Sequence, residues 1–220
     1  MLNKPIIWSI SALDCTTSWG SQADLLTMND LGAQAATVST ALCSEVARIE
    51  CEAVDESILL KQLNQLAQQL PAKVIKLGYI ANQSQLQVLV QQILYYRERW
   101  PQPPLLLYQP IFQLKQQQLA SASLIQQLNR QLLPLVDVIC IGVTEVQQLT
   151  GIYLINAEAA RQAAAKLMSL GVGAVIIKGG DWAYPGDICV DYFALYKGAE
   201  LADGFIASKW LEHAESHWLS

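Results

Sequence analysis

The sequence predicts an α/β fold in which a mainly parallel sheet is covered by helices on both faces. Three observations predict it. Short apolar runs have the length of buried strands, stretches with helical spacing fill the intervals between them, and the 220 residues are 52% hydrophobic but only 15% charged. A chain of this length and composition buries one sizeable core, so residues 1–220 are read as a single domain.

Pro5 to Ser11 is an Ile-rich run suited to a strand buried on both faces, and Gln22 to Asp30 carries helix formers up to Gly32, a natural helix C-cap. Ala35 to Leu42 alternates small and β-branched residues and reads as the second strand. Asp55 to Leu70 is a helix with Asp55 as N-cap and Pro71 as its stop. Lys73 to Tyr79 is a strand, Ser84 to Tyr96 a helix with a sheet-facing apolar stripe, and Pro104 to Tyr108 a strand. The polar segment Leu114 to Ala120 reads as a loop. Ser121 to Leu133 reads as a helix, Val136 to Ile141 as a strand, Thr144 to Thr150 and Ala157 to Leu170 as helices, and Ala174 to Lys178 as a strand. Repeated βα units of this kind make parallel sheets. After Gly180 the pattern changes: Ile188 to Leu195 is strand-like, and Lys197 to Lys209 suits an excursion or hairpin.

Composition excludes several partners. With a net charge of −5 and no Lys/Arg cluster, the chain has no footprint for nucleic acid or an anionic membrane surface. No apolar stretch approaches the ~18 residues of a spanning helix, and Pro5 to Leu13 lacks the flanks of a signal peptide. A cytoplasmic location is expected. Cys15, Cys43, Cys51, Cys140 and Cys189 are odd in number and form no CxxC pair, which fits reduced thiols. No GxGxxG follows the first strand, so a dinucleotide-binding dehydrogenase is not indicated.

The turn after the first strand reads Ser11-Ala12-Leu13-Asp14-Cys15-Thr16-Thr17-Ser18-Trp19-Gly20-Ser21-Gln22-Ala23-Asp24-Leu25. It resembles the GxDxSGGAGxQADL segment of the hydroxymethylpyrimidine/phosphomethylpyrimidine kinases of thiamine biosynthesis. Asp14, Gly20 and Gln22 to Leu25 are retained, while Trp19 stands where a small residue is usual. Further partial matches follow in order: Thr40 to Glu45 resembles TAxxxQ, Lys76-Leu77-Gly78-Tyr79-Ile80 resembles KxGML, and Val175 to Asp181 resembles VxxKGGH. The family's DPVM is replaced by Gln109-Pro110-Ile111-Phe112, and of TPNxxE only Glu145 remains.

The resemblance implies a ribokinase-like three-layer sandwich, ATP and Mg²⁺ as cofactors, a small aminopyrimidine as substrate, and a homodimer. It places Asp14, Gly20, Asp24, Glu45 and Tyr79 beside the pyrimidine, and Glu145, Lys178, Gly179 and Gly180 beside the nucleotide. Four of these residues also have a plainer reading. Asp24 and Glu145 suit the first turn of a helix, Glu45 suits a surface position after a strand, and Tyr79 suits the core.

The Gly-Thr-Gly-(Asp or Cys) turn that carries phosphoryl transfer in the family is not found after Gly180, which assigns no catalytic residue. His213 and His217 are spaced as metal ligands on a helix, but no third ligand accompanies them. The expected function is phosphorylation of hydroxymethylpyrimidine or its monophosphate, impaired in this chain alone. Two readings stand beside it: a non-catalytic pyrimidine-binding or regulatory homologue, and an α/β protein with another small ligand at its strand ends.

Overall fold

The structure, a computed structural model, describes residues 4–16, 19–45, 48–179, 188–197 and 200–209. The first strand, β1 (Ile6–Asp14), leads to α1 (Gly20–Asp30), β2 (Gln34–Glu45) and β3 (Ile49–Ala53). Next come α2 (Glu56–Gln69), β4 (Val74–Leu77), α3 (Gln83–Arg99) and β5 (Leu105–Tyr108). A small hairpin of β6 (Gln113–Leu114) and β7 (Gln117–Gln118) precedes α4 (Ala122–Gln127). The chain continues through β8 (Val138–Gly142), α5 (Val143–Thr150), α6 (Ala157–Ser169) and β9 (Ala174–Lys178), then β10 (Ile188–Lys197) and β11 (Glu200–Lys209).

The large sheet has nine strands in the order β11-β10-β9-β8-β5-β4-β1-β2-β3. Its centre, from β9 to β2, is parallel, while β3, β10 and β11 pair antiparallel at the edges. From β1 the chain steps outward to β2 and β3, then returns to the other side of β1 and proceeds through β4, β5, β8 and β9. Right-handed crossovers running in opposite directions put their helices on opposite faces. That makes three layers, with α1 across the sheet from α2 and α3, and it sets the point where strand order reverses between β1 and β4.

Alternation along β1 serves the two faces differently. Trp8 and Ile10 are buried in the main core with Leu59, Leu63, Leu86 and Leu89 of α2 and α3. The Trp8 ring meets Tyr96 and Trp100 edge-on at 5.7 Å, and its indole N–H donates to the Leu70 carbonyl at 2.8 Å. On the α1 side, Ser9 donates to Asp24 at 2.6 Å and Asp24 forms an ion pair with Lys76 of β4. A nearly buried polar pin therefore holds α1, whose buried residues are only Gly20 and Ser21.

Three expectations are corrected. Leu114 to Ala120 is not simply a loop, because β6 and β7 pair within it. The helix expected from Ser121 to Leu133 is α-helical only to Gln127, then turns as a π-helix over Leu128–Leu132 and a 3₁₀ turn over Leu133–Leu135. Cys43 and Cys51 are not reduced thiols: they face each other across β2 and β3 with Cα atoms 4.1 Å apart and form a disulfide. The strand β3 that brings them together was not expected from the sequence. Cys15 and Cys140 are free. The antiparallel pair β10 and β11 fulfils the expected hairpin. Gly180, His213, His217 and the motif residues Thr17 and Ser18 lie outside the described residues. No helix among the described residues is long and apolar enough to cross a membrane.

Candidate functional site

In open α/β sheets, ligands bind at the carboxyl ends of the strands where strand order reverses. Here that position holds a small apolar cluster separate from the main core. It comprises Trp19, Ala12, Ala41, Cys43, Ile49, Tyr79 and Ile111. The Trp19 ring stands edge-on to Tyr79, with centroids 6.4 Å apart and planes at 89°. Gly20, next in the chain, has φ +75°, and a Cβ there would lie 2.3 Å from the Ala12 carbonyl oxygen. Only glycine turns the chain from β1 into α1 this closely.

Beneath the cluster lies a connected hydrogen-bond network. The Tyr79 N–H donates to Ser11 Oγ at 3.1 Å, and the Tyr79 carbonyl accepts from Thr40 Oγ1 at 2.7 Å. Gly78 allows this approach, since a Cβ would meet Ser11 Oγ at 2.3 Å. The fully buried Gln85 amide donates to the carbonyls of Thr40 and Val54, each at 2.7 Å, and accepts from Ala81 N–H at 3.2 Å. The backbone under Tyr79 is thus fixed from three elements. Burial pushes the Tyr79 hydroxyl pKa above its ordinary value.

The β6–β7 hairpin straps the open side. Its turn residues Lys115 and Gln116 have φ of 46° and 65°, as a two-residue hairpin turn of matching twist demands. Lys115 Nζ reaches both carboxylate oxygens of Glu45, at 2.7 and 2.8 Å. The Gln117 amide accepts from Ile49 N–H at 3.0 Å and donates to the Ile49 carbonyl, as a strand neighbour would.

Of the residues expected beside the pyrimidine, Trp19's partner Tyr79 lies in the cluster and Glu45 stands at its rim. Asp14 is buried at the end of β1, accepting from the Thr16 hydroxyl. Gly20 acts through its backbone. Asp24 is not gathered with them; it sits at mid-strand level in the Ser9–Lys76 pin. Sequence reasoning missed Lys115, Gln117 and Gln85, and the unusual turn at Lys115–Gln116 left no glycine signal to find it.

At the ends of β8 and β9 a second group assembles. Gly142 pairs in register with Lys178, and Glu145 in the first turn of α5 folds its carboxyl back over Gly142, where a Cβ would lie 2.8 Å from Oε2. Glu145 Oε1 accepts from the Phe112 N–H at 3.4 Å. Burial pushes the Glu145 pKa up, against the opposing pull of backbone N–H groups and of Lys178. Burial likewise raises Cys140 and Tyr108, the latter further by the nearby Glu145 charge. The buried Gly179 N–H donates to Asp191 Oδ1 at 2.9 Å, so β10 closes this end.

Similarity to known proteins runs through both groups. The family model described as phosphomethylpyrimidine kinase matches residues 14–211. The hydroxymethylpyrimidine/phosphomethylpyrimidine kinase of Aquifex aeolicus is 26% identical over 197 residues, covering 87% of this chain and 75% of that protein. Among solved structures, phosphomethylpyrimidine kinase from Clostridium difficile superposes with TM-score 0.78 at 23% identity, covering 97% of this chain and 88% of that one. Bacillus subtilis pyridoxal kinase, solved as an ADP complex, gives TM-score 0.83 at 20% identity over 96% of this chain and 78% of that one.

Proposed function

Because the chain belongs to the phosphomethylpyrimidine kinase family, we propose that it is a kinase-like protein of thiamine biosynthesis that transfers phosphate from ATP to hydroxymethylpyrimidine or its monophosphate. The observation that carries this reading is the family match over residues 14–211. In it, Tyr79 packs on the pyrimidine ring and Glu45 accepts hydrogen bonds from the exocyclic amine and a protonated ring nitrogen, a charge-assisted pair. Lys115, now on Glu45, gives way to the substrate. Asp14 and the Gly20 turn border the ring, while Lys178 and Gly179 border the nucleotide.

Donor chemistry decides whether a magnesium ion fits. Mg²⁺ takes hard anionic oxygens from one or two carboxylates together with phosphates and water. Gln109 presents an amide at the end of β5, and Gly142 presents no side chain. Glu145 is buried, accepts from the Phe112 N–H, and is biased toward its neutral form. These residues do not fit a directly held ion. Lys178 remains as a cation for phosphate, a point charge able to pair with a phosphoryl oxygen.

Transfer by this chain is accordingly slow. With 4-amino-5-hydroxymethyl-2-methylpyrimidine and ATP, we expect ADP formation well below the ~1–100 s⁻¹ of ordinary kinases, and further reduced in Glu45→Ala. Turnover within that range would contradict the impairment, and ADP formation indifferent to the pyrimidine would contradict the reading itself. The unsuited metal donors favour a second reading, a non-catalytic pyrimidine-binding homologue. Saturable pyrimidine binding without any pyrimidine-dependent ADP would select it.

A further inference from the structure

The chamber where strand order reverses is filled by a side chain of the protein itself. Trp19 is only 6% exposed, and it enters from the turn between β1 and α1, whereas Ala12, Ala41, Cys43 and Ile49 belong to β1, β2 and β3 and Tyr79 and Ile111 to the segments that follow β4 and β5. Trp19 occupies the N-cap position of α1, in extended conformation and making no side-chain cap. Helices place Ser, Thr, Asp or Asn there to satisfy an exposed N–H. The helix gains no cap from an indole at this position; what the indole gains is burial in the cluster, edge-on to Tyr79. The chamber walls do not depend on the indole for their anchoring. Ser11, Thr40 and Gln85 fix the backbone at Tyr79 and β2 through bonds that bypass Trp19.

We propose that Trp19 is an internal stand-in for a planar heterocyclic ligand, so that a ring enters this chamber only by displacing the indole. The proposal rests on the reading that the chamber takes an aminopyrimidine. Small side chains on two walls (Ala12 and Ala41) and the Cys43–Cys51 disulfide line the place the indole fills, and Tyr79 gives a ring there an aromatic neighbour. Glu45 at the rim supplies the acceptor for an amine once Lys115 has moved aside.

The test is calorimetric titration of the full-length wild type, Trp19→Ala and Trp19→Leu with 4-amino-5-hydroxymethyl-2-methylpyrimidine and, separately, with indole, after circular dichroism has confirmed each fold. The pyrimidine should bind Trp19→Ala at least tenfold more tightly than wild type, with Trp19→Leu between them. Indole should bind Trp19→Ala and compete with the pyrimidine. Equal pyrimidine affinity in wild type and variants overturns the displacement and leaves the aminopyrimidine reading standing. A folded Trp19→Ala that takes up neither ring also overturns it. Uptake of indole without the pyrimidine supports the self-filled chamber and removes the aminopyrimidine reading instead. Should Trp19→Ala not fold, Trp19→Leu carries the comparison, and binding no tighter than wild type overturns the proposal.

Discussion

The carboxyl ends of β1, β2 and β4 and those of β8 and β9 use similar strand-to-turn geometry, each with a glycine that lets a neighbouring group come close. They differ in how their polar groups are satisfied. Around Tyr79, the Gln85 amide, two hydroxyls and the Glu45–Lys115 pair are matched donor to acceptor. Around Glu145, burial outweighs the compensating interactions, and the carboxyl is driven toward its neutral form. One end of the sheet thus has its polar groups matched, while at the other a buried carboxyl is held toward its neutral form.

The largest effect should come from Gln85→Ala. The substitution takes one donor from the Thr40 carbonyl, which keeps the Val54 N–H, and leaves the half-buried Val54 carbonyl and Ala81 N–H without the Gln85 amide, and we expect a loss of about 2–4 kcal/mol in urea unfolding. A loss under about 1 kcal/mol would mean that the network is not what makes this end rigid. Lys76→Met comes next. Asp24 and Lys76 are nearly buried, with side-chain exposures of 13% and 14%, so removing the cation should cost about 2–3 kcal/mol. Adding Asp24→Leu should recover most of that loss; a double variant as unstable as the single one would show that the pin does not act as a pair.

Glu145→Gln probes the other end. A carboxyl whose pKa is raised in the folded state holds its proton more tightly there than in the unfolded chain. Its ionisation therefore removes stability as pH rises from the ordinary glutamate value, near 4.3, through the raised folded value. We expect Glu145→Gln to flatten this decline and to equal or exceed the wild type in stability at pH 7. A variant clearly less stable at pH 7 would show that the charged carboxylate is well accommodated and would weaken the contrast between the two ends. The smallest effect belongs to Lys115→Ala. Its side chain is 73% exposed, and thermal unfolding should register no more than about 0.5 kcal/mol. A larger loss would make the ion pair, and not the Gln117 amide, the main fastening of the strap.

The alternating strands and helices were legible because burial on both faces of a parallel sheet writes short, mostly apolar runs, as in Ile6 to Ile10, where Ser9 alone is polar. The strand β3 was not, since Ile49 to Ala53 carries two glutamates in five residues and forms a sheet edge at which only Ile49 is buried. Missing it concealed the opposition of Cys43 and Cys51. Glu45 and Tyr79 were singled out by resemblance because they sit in short chain motifs, and the structure places Tyr79 in the apolar cluster and Glu45 against Lys115. Lys115 and Gln117 reach Glu45 and Ile49 from about 70 positions away, at separations of 70 and 68, and no local pattern announces such contacts. Asp24 was readable as a conspicuous acid but not as a structural one, because its partner Lys76 is 52 residues distant.

Hydrogen–deuterium exchange on the full chain with saturating 4-amino-5-hydroxymethyl-2-methylpyrimidine tests most directly where the ring goes. We expect new protection at Ala12 to Asp14, Ala41 to Glu45 and Tyr79, with little change at Gly142 to Glu145. Protection confined to Gly142 to Glu145 and to Lys178 and Gly179, or none under saturating pyrimidine, would contradict the assignment of the chamber beside β1 and β4 as the ring site.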